Sequence, residues 1–167
     1  MHRTVDTAGT DERPAPPVLV WRPEDEPTLA RAVDLAAAAL VGDGAEVLPL
    51  DWDDHIQTLL GDYPVLTAYE GSPAGPEPAD HHDARIRRDV SRADLVRRLR
   101  DGAVVLAPVV RRRPWRVLGL PSVPVTGIRS GDDLPLGLEV IGLPGRLADL
   151  ESFAARLEHR VAGAVVA

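Results

Sequence analysis

Apolar residues come in short runs set between charged and proline-rich stretches. Residues 18–21, 45–50, 103–108 and 136–141 are brief and largely apolar, as strands buried in a sheet are. Residues 122–125 add another short strand, held extended by Pro121 and Pro124. Between the first two runs, Leu29, Val33, Ala36 and Leu40 share one helical face. Pro23 and Pro27 frame the start of that helix, and Glu24, Asp25 and Glu26 suit the positive end of its dipole. Gly42 and Gly44 end it. Strand, helix and strand in this order predict a βαβ unit with a parallel pair.

The middle of the chain is more polar. Residues 51–60 open a short helix and 64–70 a second, followed by a loop over 71–80, GSPAGPEPAD. Residues 82–100 read as a charged helix with Ile86, Val90, Leu95 and Leu99 available to pack. Residues 111–116, RRRPWR, read as a basic loop, and 130–133 as a turn. Leu147, Leu150, Ala154, Leu157 and Val161 repeat at helical spacing and predict an amphipathic last helix. There is no internal repeat. The pattern predicts an α/β fold, a mixed sheet with packed helices. It forms a single domain over 18–167, behind a polar, proline-rich, disordered tail over 1–17.

Composition narrows the chemistry. A length of 167 residues suits one domain, and 44% hydrophobic residues are enough for a core. The chain has no Cys, so disulfides, thiolate nucleophiles and Cys-ligated metals are excluded. All 19 basic residues are Arg, which excludes Schiff-base chemistry, a phosphate-binding P-loop lysine and any lysine general base. No cofactor is expected. No apolar run approaches the roughly 20 residues of a membrane span, and the first residues lack the apolar segment of a secretory signal. The expectation is a soluble cytoplasmic protein. The lack of Lys and Asn, with abundant Ala, Arg, Gly and Pro, is the composition of a high-GC bacterial genome.

The net charge of −7 is unevenly placed. Residues 1–83 carry −13 and residues 84–167 carry +6, with 11 Arg between positions 85 and 116. An anion or acidic-partner site is one reading of that stretch. An arginine-rich helix face lying against the acidic first half, or against water, is the other. Nucleic acid is not expected, because the chain is acidic overall and few aromatics interleave with the Arg.

Three groups of residues are candidates for chemistry. Asp51, Asp53, Asp54 and His55 follow the second predicted strand, where open α/β sheets place ligands. His81, His82 and Asp83 follow the Pro/Gly loop. Of these, His55, His81, His82 and Asp83 are the candidates for acid–base work. No metal-binding spacing such as HExxH is present, so no metal site is assigned. Otherwise an Asp caps a helix and the histidines sit on a solvated loop. Arg111, Arg112, Arg113 and Trp115 are the candidates for ligand binding. Arg forks bind carboxylate or phosphate, and Trp offers a stacking face. Otherwise these Arg residues are simply exposed, and Trp115 covers the edge of the core.

Residues 119–157, GLPSVPVTGIRSGDDLPLGLEVIGLPGRLADLESFAARL, resemble the C-terminal segment of amidase-signature enzymes. Gly119, Leu120, Pro121, Pro124, Leu134, Pro135, Gly137, Leu138, Ile141 and Gly142 carry the resemblance. Residues 18–50, with Gly-Ala-Glu-Val at 44–47, are similar to the family's later βαβ unit, and 101–108 to the strand between. The resemblance implies a reduced amidase-like domain. Its catalytic Lys, paired Ser and Gly-Gly-Ser-Ser-Gly-Gly loop have no counterpart here. The five Ser are scattered at 72, 91, 122, 130 and 152, and a Ser without a base is a poor nucleophile.

Two functions follow. The first is a truncated, non-catalytic amidase-like accessory protein that binds a second protein subunit or forms a homo-oligomer. The alternative is a stand-alone domain repurposed for small-molecule binding or a biosynthetic activity, with a small anion as one possible ligand.

Overall fold

The computed structural model describes residues 16–71, 75–110 and 114–167. In chain order the elements are β1 (Val18–Val20), α1 (Pro27–Gly42), β2 (Val47–Pro49), α2 (Asp53–Gly71) and α3 (Ala79–Arg98). A 3₁₀ turn (Arg100–Gly102) leads to β3 (Val104–Pro108), then α4 (Pro114–Val117), β4 (Ser122–Ser130), β5 (Pro135–Ile141), α5 (Leu147–Val161) and β6 (Ala164–Val166). The six strands form one mixed sheet in the order β2-β1-β3-β5-β4-β6. β1 runs parallel to β2 and β3, β5 runs antiparallel to β3 and β4, and β6 runs parallel to β4.

Strand alternation splits the core in two. On β3, Val104 and Leu106 join the layer under α1 and α5, while Val105 and Ala107 join the layer under α2 and α3. The first layer is aliphatic, with Val33, Ala36 and Leu40 of α1 against Leu150, Ala154 and Leu157 of α5. Gly142 permits this closeness, since a Cβ there would lie 2.8 Å from Leu150 Cδ2. The second layer holds all three tryptophans.

The α/β class, the mixed sheet and the first parallel βαβ unit are as the pattern predicts. Other elements differ. The two helices expected over 51–60 and 64–70 are one continuous α2, with Pro64 inside it. Pro64 withholds one N–H, but buried Leu59 and Leu66 on either side keep the helix on its neighbours. Helix α3 begins at Ala79. Its buried face is His81, Ala84, Ser91 and Leu95, so Ile86 and Val90, expected to pack, are exposed instead. Strand β4 runs on to Ser130 through a register shift between Val125 and Ile128. Strand β6 was not expected. Of the basic loop, Arg111, Arg112 and Arg113 lie outside the described residues, and Pro114–Val117 is a helical turn. Residues 1–15 of the expected tail and 72–74 of the expected loop also lie outside them. Pro17 already belongs to the sheet margin, its carbonyl accepting from Val104 N–H at 3.0 Å. Among the described residues, no helix is long and apolar enough to cross a membrane.

Candidate functional site

Helices α2 and α3 pack against each other and carry most of the candidate residues. His55 is at the start of α2, where its ring stacks on Trp52 at 4.7 Å. Its Nδ1 is 2.9 Å from Ser91 Oγ on α3. A His–Ser pair has the elements of a nucleophilic dyad. Ser91, however, is only 2% exposed within the helix–helix contact, where no substrate carbonyl can reach it. The pair fastens two helices together.

The tryptophans continue this structure inward. Trp52 stacks on Trp115 at 5.5 Å with 12° between the planes, and Trp21 meets Trp115 edge-on at 6.1 Å. Trp115 is fully buried, so its ring is part of the core and away from the surface. Trp21 Nε1 donates to Asp53 Oδ1 at 2.8 Å, and Trp52 Nε1 donates to Asp94 Oδ2 at 3.0 Å. Asp94 also accepts from Arg97 and, at 2.8 Å, from Arg98. Burial pushes the Asp94 carboxyl up. The Arg98 and Trp52 hydrogen bonds, with the nearby Arg charges, outweigh that and hold it below the usual range.

His81 and His82 belong to a different cluster. His81 is 3% exposed, with Nδ1 2.6 Å from Glu77 Oε1 and its ring 4.2 Å from that of Tyr69. His82 Nδ1 is 3.3 Å from Glu77 Oε2, and Arg85 Nε donates to Glu77 at 3.0 Å. These contacts, led by the Arg85 hydrogen bond and opposed by partial desolvation, lower the Glu77 carboxyl to about 2. Tyr69 and His55 lie 14 residues apart on α2, which is about 21 Å of helix. The structure therefore does not bring His55 together with His81 and His82. Asp83 is exposed on α3 near Arg87. Asp54 is exposed too, and Asp53 is taken up by Trp21. No group of three or more His, Cys, Asp or Glu with metal-holding geometry occurs among the described residues.

The arginine-rich stretch divides into two sets. Arg87 makes a two-point contact with Asp62 at 2.7 and 2.8 Å, Arg88 pairs with Glu70, and Arg85 pairs with Glu77. These arginines are matched by acids from residues 62–77, in the acidic first half. A groove of about 830 Å³ lies between α3 and α4, with Glu70 and Asp89 beside Arg88 on its wall. Arg88, Arg92 and Val96 of α3, Arg100 of the following turn, and Arg116 and Leu118 line it. Arg92 Nε donates to the Leu118 carbonyl at 3.0 Å, joining the two walls. Of the ligand-binding candidates from the sequence, Arg111, Arg112 and Arg113 lie outside the described residues, and Trp115 is buried in the core. Arg92, Arg100 and Ser91 were visible only as composition, since helical spacing alone does not say which face meets α4.

Neither a protein-family model nor a curated protein matches this chain. Solved structures do. Over 84% of its length the chain is similar to 31% of the Kluyveromyces lactis allophanate hydrolase, with TM-score 0.62 and 17% identity. Over 89% it is similar to 45% of 6-aminohexanoate cyclic dimer hydrolase, with TM-score 0.62 and 15% identity. Over 89% it is similar to 46% of an amidase, with TM-score 0.58 and 22% identity. The chain thus spans between about a third and a half of these proteins. Its fold is that of part of the amidase-signature enzymes.

Proposed function

We propose that this chain is a non-hydrolytic amidase-signature relative that works as a partner-binding accessory subunit. The observation that carries the reading is an amidase-type fold in a chain without a single lysine. The Ser-Ser-Lys machinery implied by the sequence resemblance needs that base. Neither of the less exposed histidines of α2 and α3 replaces it: His55 is bonded to a sealed Ser91, and His81 is buried against Glu77 and Tyr69. The partner is an amidase-signature chain that supplies the Lys and the Gly-rich Ser loop, or else a second copy of this chain. A stable assembly of either kind buries more than about 1,000 Å².

The test mixes the purified chain with an amidase-signature chain from the same organism. Light scattering follows mass, and amide hydrolysis is assayed in parallel. The expected result is a stoichiometric complex whose hydrolysis survives every Ser→Ala change in this chain. Hydrolysis by this chain alone, or a monomer that forms no complex, refutes the reading.

A cavity of about 440 Å³ favours the second reading, a self-sufficient small-molecule-binding domain. It lies beyond the carboxyl ends of β1 and β3, between Trp21, Ile56, Leu60 and Val110, with Asp53 and Glu26 on its wall. A ligand there would pair an apolar body with a cationic group. A thermal-shift series of alkylamines tests it, and a melting temperature unmoved by saturating amine removes it.

A further inference from the structure

The groove between α3 and α4 repeats cation and apolar positions in a simple order. On a helix, residues four apart rise about 6 Å along the axis. Arg92 and Val96 lie one such step apart on α3, and Arg100 follows in the 3₁₀ turn, so cation, apolar side chain and cation succeed one another along this wall. Arg116 and Leu118 stand on the opposite wall. Arg92, which lines the groove, donates through Nε to the Leu118 carbonyl. Arg100 and Arg116 form no ion pair among the described residues. Arg88, paired with Glu70 and Asp89, closes one end.

An extended peptide puts every second side chain on one face, about 6.6 Å apart. That spacing is close to the step from Arg92 to Val96 on α3. We propose that this groove binds an extended acidic segment of a partner protein, with carboxylate, apolar and carboxylate side chains at alternating positions. The carboxylates meet Arg92 and Arg100, the apolar residue lies on Val96 and Leu118, and Arg116 covers the segment from the other wall. A nucleic acid would need a larger basic field than a chain of net charge −7 offers. The inference takes its partner from the accessory-subunit reading.

The experiment titrates the folded protein with a Gly-flanked peptide, Glu-Ser-Leu-Ser-Glu, followed by amide NMR. The expected result is shifts confined to residues 88–100 and 116–119. Binding should weaken as salt rises, and fall at least about tenfold in Arg100→Glu/Arg116→Glu. Arg31→Glu, an exposed change on α1, should leave it unchanged. An unchanged melting curve shows that the double variant is folded, and Arg100→Gln/Arg116→Gln gives an intermediate loss. Equal binding of a Gln-Ser-Leu-Ser-Gln peptide overturns the proposal. So does citrate or phosphate binding as tightly as the peptide, which would make this a small-anion site. Self-association of the protein alone that the double variant abolishes overturns it in favour of a second copy. If the amidase complex forms and the peptide does not bind, the groove proposal falls while the accessory reading stands. If the peptide binds and no complex forms, the accessory reading falls while the groove stands.

Discussion

Asp94 ties the tryptophan stack to the arginines at the end of α3, and its removal tests whether that tie holds the layer together. Asp94→Ala leaves the Trp52 indole N–H without its acceptor, in a side chain that is 1% exposed. An unpaired buried donor costs about 1–3 kcal/mol. The lost Arg97 and Arg98 pairs add less than about 1 kcal/mol, because both arginines are largely exposed. The expected loss is about 2–3 kcal/mol, or roughly 5–10 °C in Tm for a chain of this size. Asp94→Asn keeps an oxygen for the indole and should lose only about half as much. Urea unfolding gives the free energies, and near-ultraviolet circular dichroism reports the stacked Trp52 and Trp115 rings directly. The alanine variant should lose much of that signal and the asparagine variant should keep it. Equal losses for both variants would refute the argument that the indole bond is the important contact.

Further expectations are separately checkable. The Glu77 carboxyl is lowered from 4.5 to about 2, so its contribution is fully present above about pH 4.5 and is lost as pH falls toward 2. Glu77→Gln should flatten the stability-against-pH curve between those values and leave its shape above pH 5 unchanged, as read by urea midpoints. Gly127 has φ of +104°, and a Cβ there would lie 3.3 Å from Ala162 Cα. Gly127→Ala should therefore destabilise by about 1–3 kcal/mol, more than Gly75→Ala, which has open space around it. His55→Ala and Ser91→Ala should each lower stability by about 1 kcal/mol and change no hydrolytic rate, since their bond joins two helices.

What the sequence disclosed was what local periodicity encodes. The β1–α1–β2 unit was legible because Val33, Ala36 and Leu40 repeat at helical spacing between two apolar runs, and all three are buried. Strand β6 was not, because Ala164–Val166 has no alternation and becomes a strand only by pairing with Ile128–Ser130 some 36 residues earlier. Pro64 was read as a helix boundary; tertiary contacts of Leu59 and Leu66 override the bond it removes. On α3 the apolar side chains misled. Ile86 and Val90 are exposed, while His81 and Ser91 face inward, because polar partners on the loop before α3 and on α2, Glu77 and His55, await them.

The same long-range pairing decides where unmatched charge remains. Neighbours in sequence, His81 and His82, share one glutamate, while His55 is held about 20 Å away along α2. Acid–base groups that look clustered in the chain are thus separated by the length of a helix. The arginines behave in the opposite way. The described arginines between 85 and 116 divide by which acids stand within reach. Arg85, Arg87 and Arg88 meet acids from residues 62–77, and this absorbs part of the imbalance between the two halves of the chain. Arg100 and Arg116 lie past the end of that contact, where α4 and the turn after α3 supply no carboxylate beyond Asp101. Asp101 has φ of +66° inside the turn and does not line the groove. In the groove between α3 and α4, Glu70 and Asp89 are both engaged by Arg88, so among the described residues no acid is ion-paired with Arg92, Arg100 or Arg116, and that positive charge is open to carboxylates from elsewhere.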